Sequence, residues 1–361
     1  NGKYYQSYGL QYATNWFGGK RPIQFTLGAN FSKSTDVNTS YYSRSYMQNY
    51  YNYMYGVGNY NYNNYENYLD PDKYIQIWGF YAGWGKRLRW PDDYFQLSVQ
   101  LSYQRYILKN WRYFLIMSNG TANNLSLNIS LNRSSTDNQL YPRTGSEFSA
   151  SLSITPPWSK FDKKDYKNLA NDRFSATYQQ EQQEKYRWVE YHKWKFKART
   201  FTALSSGSKC FVLMTRVEFG LLGSYNRYKK SPFETFYMGG DGMSGYSSSY
   251  AQETIGLRGY DNGQLTQRGE GYAYDRMTLE LRYPFLLGNT TIYGLGFVEA
   301  GNAWTETSKF NPFDMKRSAG LGVRIYLPMV GMMGIDWAYG FDKVFGKKGG
   351  SQFHFVLGQE F

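Results

Sequence analysis

A single arginine, Arg258, sits between a leucine and a glycine in the stretch IGLRGYDNG, residues 255–263. A guanidinium in such a loop has three chemical uses: a solvated charge, a phosphate contact, or a latch that carboxylates hold. Covalent chemistry has few candidates beside it. The two histidines, His192 and His354, lack the spacing of a metal site or of a nucleophile–base pair. Cys210 is the only cysteine, which forbids an internal disulfide and a cysteine-based zinc site. The run GGDGMSGY (239–246) is glycine-rich but lacks the strand–loop–helix context of a phosphate cradle, so it reads as backbone flexibility in a loop. The expectation is therefore a protein with no catalytic residue, no metal and no cofactor.

The elements that must position Arg258 are legible from composition and period. Of 361 residues, 20% are aromatic, 38 are Tyr and 37 are Gly, whereas charged residues make up 19%. That profile favours strands and turns. Mean hydropathy is −0.65, and no apolar run approaches the roughly 18 residues a spanning helix needs. A helical membrane protein is excluded. A transmembrane barrel is not, because its strands alternate lipid-facing and lumen-facing residues. The formal charge of +13 suits an anionic partner such as a lipid or lipopolysaccharide surface. Nucleic acid is not expected, since no recognised module combines basic and stacking residues.

Period-two alternation runs from end to end. In NNLSLNISLN, Leu125, Leu127, Ile129 and Leu131 share one face, opposite Asn124, Ser126, Asn128 and Ser130. In RMTLELRYPF, Met277, Leu279, Leu281 and Tyr283 oppose Arg276, Thr278, Glu280 and Arg282. Thirteen strands are expected, near 4–16, 22–33, 73–84, 94–108, 122–132, 145–155, 186–202, 209–223, 272–285, 290–303, 316–327, 332–341 and 352–361. The gaps between them alternate short and long, with a mild exception around 133–144. The long ones fall at 34–72, 109–121, 156–185, 224–271, 304–315 and 342–351. A soluble sandwich also alternates along its strands, but a meander with alternating short turns and long loops favours an all-β transmembrane antiparallel barrel. Within the loops, residues 41–68 are mostly Tyr, Asn and Gly and read as a surface loop or a docking surface, and 159–187 is a solvated stretch of mixed charge.

The segments FETFYMGGDGMSGY, LRGY, YAYDRMTLELRYPF, TTIYGLGFVEAGNAW, MKRSAGLGVRIYLP, MGIDWAYGFD and QFHFVLGQEF, in that order, resemble the BamA-type outer-membrane insertase family. The likeness is strongest over 233–361. It reaches the start more loosely through NWFGGKRP and LYPRTGS, which look like the family's periplasmic turns. The resemblance implies that the loop 224–271 folds into the lumen, with Arg258 as its latch, Gly259 and Tyr260 completing the tip, and Glu280 and Glu299 as acceptors. Alternation independently puts Glu280 on the polar face. Glu299 shares its face with Tyr293, Leu295 and Phe297, so the resemblance alone supports its assignment. On the last strand, Phe353, Phe355, Leu357 and the terminal Phe361 share one face; they read as an aromatic girdle and resemble a barrel-sorting signal.

The family has sixteen strands after a run of POTRA domains, so the resemblance implies that residues 1–361 are a partial barrel. The first three strands and the POTRA domains are expected to be absent, leaving an unpaired edge near 4–16. It further implies a bacterial outer-membrane assembly factor that folds and inserts barrel proteins. Its partners would be unfolded outer-membrane proteins, accessory assembly lipoproteins or surface subunits, and the lipid and lipopolysaccharide of the membrane. A TamA-like or two-partner-secretion translocator, a passive porin and a surface binding barrel are the alternatives.

Overall fold

The structure is a computed structural model that describes residues 4–19, 23–37, 69–111, 118–162, 164–172, 174–207, 209–242, 253–266 and 270–358. The Tyr/Asn-rich run 41–68 and Phe361 lie outside the described residues. Strands β1 (Tyr5–Thr14), β2 (Ile23–Val37), β3 (Leu69–Arg87), β4 (Phe95–Lys109), β5 (Gly120–Ser134), β6 (Gly145–Ile154), β7 (His192–Ala203) and β8 (Val212–Gly223) follow one another as a meander. Two short strands, β9 (Phe236–Met238) and β10 (Glu253–Ile255), pair in parallel within the loop that follows. The meander then resumes through β11 (Ala273–Leu286), β12 (Thr291–Trp304), β13 (Lys316–Leu327), β14 (Gly331–Val344) and β15 (Lys347–Leu357). All thirteen long strands belong to one antiparallel sheet in chain order, with β1 and β15 at its ends. Among the described residues, β1 has its ladder with β2.

Alternation decides which way each side chain points, and register multiplies the effect across strands. Leu279 and Val298, paired across β11 and β12, are half exposed on the outer face. Trp337 and Phe353, paired across β14 and β15, extend the same apolar surface. The inner face carries polar groups instead. Across β4 and β5, Ser98 pairs with Ser130 and Ser102 with Ser126 through their hydroxyls. Among the described residues no helix is long and apolar enough to cross a membrane; the strands make the apolar band.

The structure corrects three expectations. The connection placed at 342–351 is a two-residue turn, because Phe345 (φ 49°) and Gly346 (φ 83°) both adopt the left-handed backbone that a type I′ hairpin needs. The strand expected to begin at 186 begins at His192. Residues before it form helix α1 (Trp158–Phe161) and helix α2 (Tyr178–Tyr186). The stretch 159–187 is also more than a solvated charge run, since Tyr166 and Tyr186 are buried. Gln183 of α2 accepts from the Thr121 N–H and donates back to the Thr121 carbonyl, which fixes the helix on β5.

This outer cap is tied to the next loop. Lys229 lies 3.6 Å from the buried Glu190 carboxylate and donates to the Tyr166 hydroxyl at 3.2 Å. Burial lowers the Lys229 pKa, while Glu190 and Asp162 pull it back up. At the opposite end the turn 135–144 folds under the lumen. Its Tyr141 hydroxyl donates toward the carbonyls of Cys210 and Arg282, both at 3.2 Å, and Cys210 is itself buried.

The two faces predict opposite tolerance to charge. Leu279→Arg, on the outer face, is expected to destabilise the folded barrel by about 2–4 kcal/mol at mid-membrane depth. Gln100→Arg, which lines the lumen cavity below Tyr191, should leave it nearly unchanged. The loss of the compact, heat-modifiable band on unboiled gels would measure both.

Candidate functional site

Three strands build the site. On β11 the buried Arg276, Thr278 and Glu280 and the partly buried Arg282 alternate with the exposed Met277, Leu279 and Leu281. On β12 the inward residues are Tyr293, Leu295, Phe297 and Glu299, an apolar column ending in one carboxylate. On β14, Asp336 points inward between Gly334 and Ala338 and is fully buried.

Arg258 enters this wall from the loop. Its Nη2 donates to Glu280 Oε1 at 2.8 Å and to Glu299 Oε1 at 2.6 Å, and its Nη1 donates to Asp336 Oδ2 at 2.9 Å. Its backbone N–H donates to the other Glu299 oxygen at 3.0 Å. The guanidinium carbon lies 3.4 Å from the centroid of the Phe297 ring, so an apolar face lies against the cation while carboxylates meet its edge. Glu280 and Glu299, named from the sequence, are thus brought together with Arg258.

The carboxylates are shared. Arg282 binds Glu280 through Nε and Nη2, Arg276 reaches Glu299 at 3.0 Å, and Arg324 grips Asp336 with both terminal nitrogens at 2.5 and 2.7 Å. Four guanidiniums and three carboxylates therefore alternate across the inner wall. Small residues make room for them. A Cβ on Gly322 would fall 1.8 Å from Asp336 Oδ1, where the Arg324 fork now closes.

The tip beyond Arg258 is equally built in. Gly259 has φ 87°, and a Cβ there would meet the Gly340 nitrogen at 2.7 Å, so only glycine lets the loop backbone lie against β14. Its N–H donates to His354 Nε2 at 2.8 Å. Tyr260 is fully buried and its hydroxyl donates to the Arg317 carbonyl at 2.7 Å. Asp261 pairs with Lys347 and accepts from Gln352 at 2.9 Å. Higher up, Lys193 reaches Glu253 at 2.8 Å and Glu234 at 3.2 Å, anchoring the loop to β7.

The remaining named residues do not join this cluster. Phe353, Phe355 and Leu357 are exposed on the outer face of β15. The sequence reading missed Asp336, His354, Arg276, Arg282 and Arg324 as members. The signal for Asp336 was present: in MGIDWAYGFD it shares parity with Gly334 and Ala338, opposite Ile335, Trp337 and Tyr339. Among the described residues no acidic, His or Cys cluster could hold a metal ion.

A meander of membrane-length strands with an apolar outer face and a loop clamped to its inner wall defines an outer-membrane-type β-barrel braced from within. The Omp85 superfamily domain matches residues 1–361, and the chain belongs to that superfamily. Among solved structures, BamA from Haemophilus ducreyi lacking POTRA domains 1–3 is similar with a TM-score of 0.59 at 14% identity, over 97% of this chain and 61% of that one. CdiB from Acinetobacter baumannii (TM-score 0.47, 11% identity, 97% and 49% covered) and CdiB from Escherichia coli (0.46, 9%, 89% and 47%) are also similar. The chain thus spans roughly half to three-fifths of these relatives. No curated protein sequence matches it.

Sharing of the carboxylates sets the mutational pattern. Removing one partner of an isolated buried pair typically costs about 3–5 kcal/mol because a charge is stranded. Arg258→Ala strands none, since Glu280, Glu299 and Asp336 each keep another arginine. It should therefore cost less than about 3 kcal/mol globally while releasing the loop to protease within 224–271. Glu299 accepts from the Arg258 backbone and side chain, Arg276 and Thr278. Glu299→Gln should accordingly destabilise more than Glu280→Gln, and combining either with Arg258→Ala should cost less than the sum. Unfolding midpoints and limited proteolysis would check the order.

Proposed function

We propose that this chain is the barrel part of a BamA-type assembly factor of the bacterial outer membrane, which inserts other barrel proteins without covalent chemistry. The observation that carries the reading is the Arg258 loop tip held by Glu280, Glu299 and Asp336 on the inner wall. Physically, lipid offers no hydrogen bonds to an incoming strand, so a protein edge that supplies them lowers the barrier to insertion. An inner brace keeps the neighbouring strands in register while such an edge is open. The fold likeness to BamA supports the same reading. Clients on this reading are unfolded outer-membrane proteins, and accessory lipoproteins or surface subunits dock outside the barrel.

The alternatives differ in measurable ways. A loop lying in the lumen argues against a passive porin, because it obstructs the aqueous path. A two-partner-secretion translocator would release soluble clients outside the cell. Depleting the full-length protein is expected to lower the surface levels of many unrelated barrel proteins and to halt growth. Loss of one secreted client alone, with barrel levels intact, would sink the assembly reading. Restoring the protein with Arg258→Ala should recover barrel levels only in part, as quantified in isolated outer membranes.

A further inference from the structure

The β14–β15 hairpin carries a like-charge pair that no group among the described residues neutralises. Lys343 and Lys348 are direct cross-strand partners, so their Cβ atoms share one face about 4.5–5.5 Å apart. Both are exposed, and neither makes an ion pair or hydrogen bond with the described residues. Their neighbours behave otherwise. Val344 points inward and is buried, while its partner Lys347 is paired with Asp261 of the loop tip. Lys343 and Lys348 therefore belong to the outer face. Below them on that face lie Phe341, Tyr339, and the Trp337–Phe353 and Ile335–Phe355 pairs. Phe345, at the tip of the hairpin, is 61% exposed.

Like charges directly opposite each other destabilise a hairpin unless an anion lies between them. Here two ammonium groups cap the aromatic band at the end of the barrel that bears the long loops, where flexible lysine stems carry their charge up to the headgroup layer. We propose that Lys343 and Lys348 bind the phosphate of an anionic lipid in the facing leaflet, with Phe341 against its acyl region. The membrane would then supply the counter-ion that the fold omits, beside the last strand of the sheet. This site depends on the outer face meeting lipid and not on the assembly function, so either can fail without the other.

The test uses the full-length protein, purified in non-ionic detergent and probed with diphosphoryl lipid A. Native mass spectrometry should show one retained lipid copy. At about 1 kcal/mol per lysine near a charged membrane surface, Lys343→Gln should weaken retention roughly five-fold and the double variant with Lys348→Gln about thirty-fold. Lys343→Arg with Lys348→Arg should keep it. In lipid-free detergent, Lys343→Gln is expected to raise the unfolding midpoint by removing the repulsion, and added lipid A should reverse that order. Unchanged lipid retention in the double glutamine variant would overturn the proposal. So would a fall in midpoint for Lys343→Gln without lipid, or equal protection of the wild type by inorganic phosphate alone.

Discussion

A guanidinium taken out of water must be given carboxylates in return, and the inner wall is arranged around that demand. Arg258 contacts β11, β12 and β14 at once through Glu280, Glu299 and Asp336. Three strands can converge on one planar cation only if their register places all three acids at one height. The antiparallel ladders do this by pairing Glu280 with Phe297 and Thr278 with Glu299. Gly322 then leaves the gap into which Asp336 and Arg324 fit. The apolar inward column of β12 follows from the same contact, because Phe297 lies against the cation and the loop tip takes the place of water.

The lumen is chemically divided by this arrangement. From β4 to β6 the inner face is mostly hydroxyls and amides that bond to one another, as in Asn128 to Ser102 and Ser149 to Asn132. On β7 it is charged: Lys193, Lys195, Lys197 and Arg199 succeed one another and meet Glu234, Glu253, Glu218 and Glu147. The loop sits on the charged side, where each of its ends finds an opposite charge. A neutral hydrogen-bonding wall holds water but cannot hold a loop with comparable energy, since charge-assisted bonds are roughly twice as strong. Loop position is thus a consequence of where the strands carry charge.

Much of this was legible in the sequence, for a reason that also limits it. Period-two alternation reports the side a residue points to, so thirteen strands, Glu280 and the outward Phe353 and Phe355 follow from parity. It does not report what covers that side. Glu299 shares its face with Tyr293, Leu295 and Phe297, which parity alone would turn toward lipid; the loop and the Tyr141 turn cover them instead. Asp336 was within reach of parity, but its pairing with Arg258 joins residues 78 apart in sequence. The tight Phe345–Gly346 turn was obscured because DKVFGKKGG reads as a polar loop, whereas its cross-strand partners continue the ladder.

The brace ends on the last strand, and that location has mechanical consequences. Gly259 donates to His354, and Asp261 meets both Lys347 and Gln352, so the loop tip touches β15 at three places on its inner face. At the other end of the sheet, the ladder of β1 among the described residues is the one with β2, and most residues of β1 are exposed. The last strand is thus clamped from inside by a charged loop in addition to its ladder with β14. An imidazole accepts the Gly259 N–H only while its Nε2 is unprotonated. The contact that joins the latch to the edge strand thus depends on one neutral histidine, which the fold places within a wall of opposed charges.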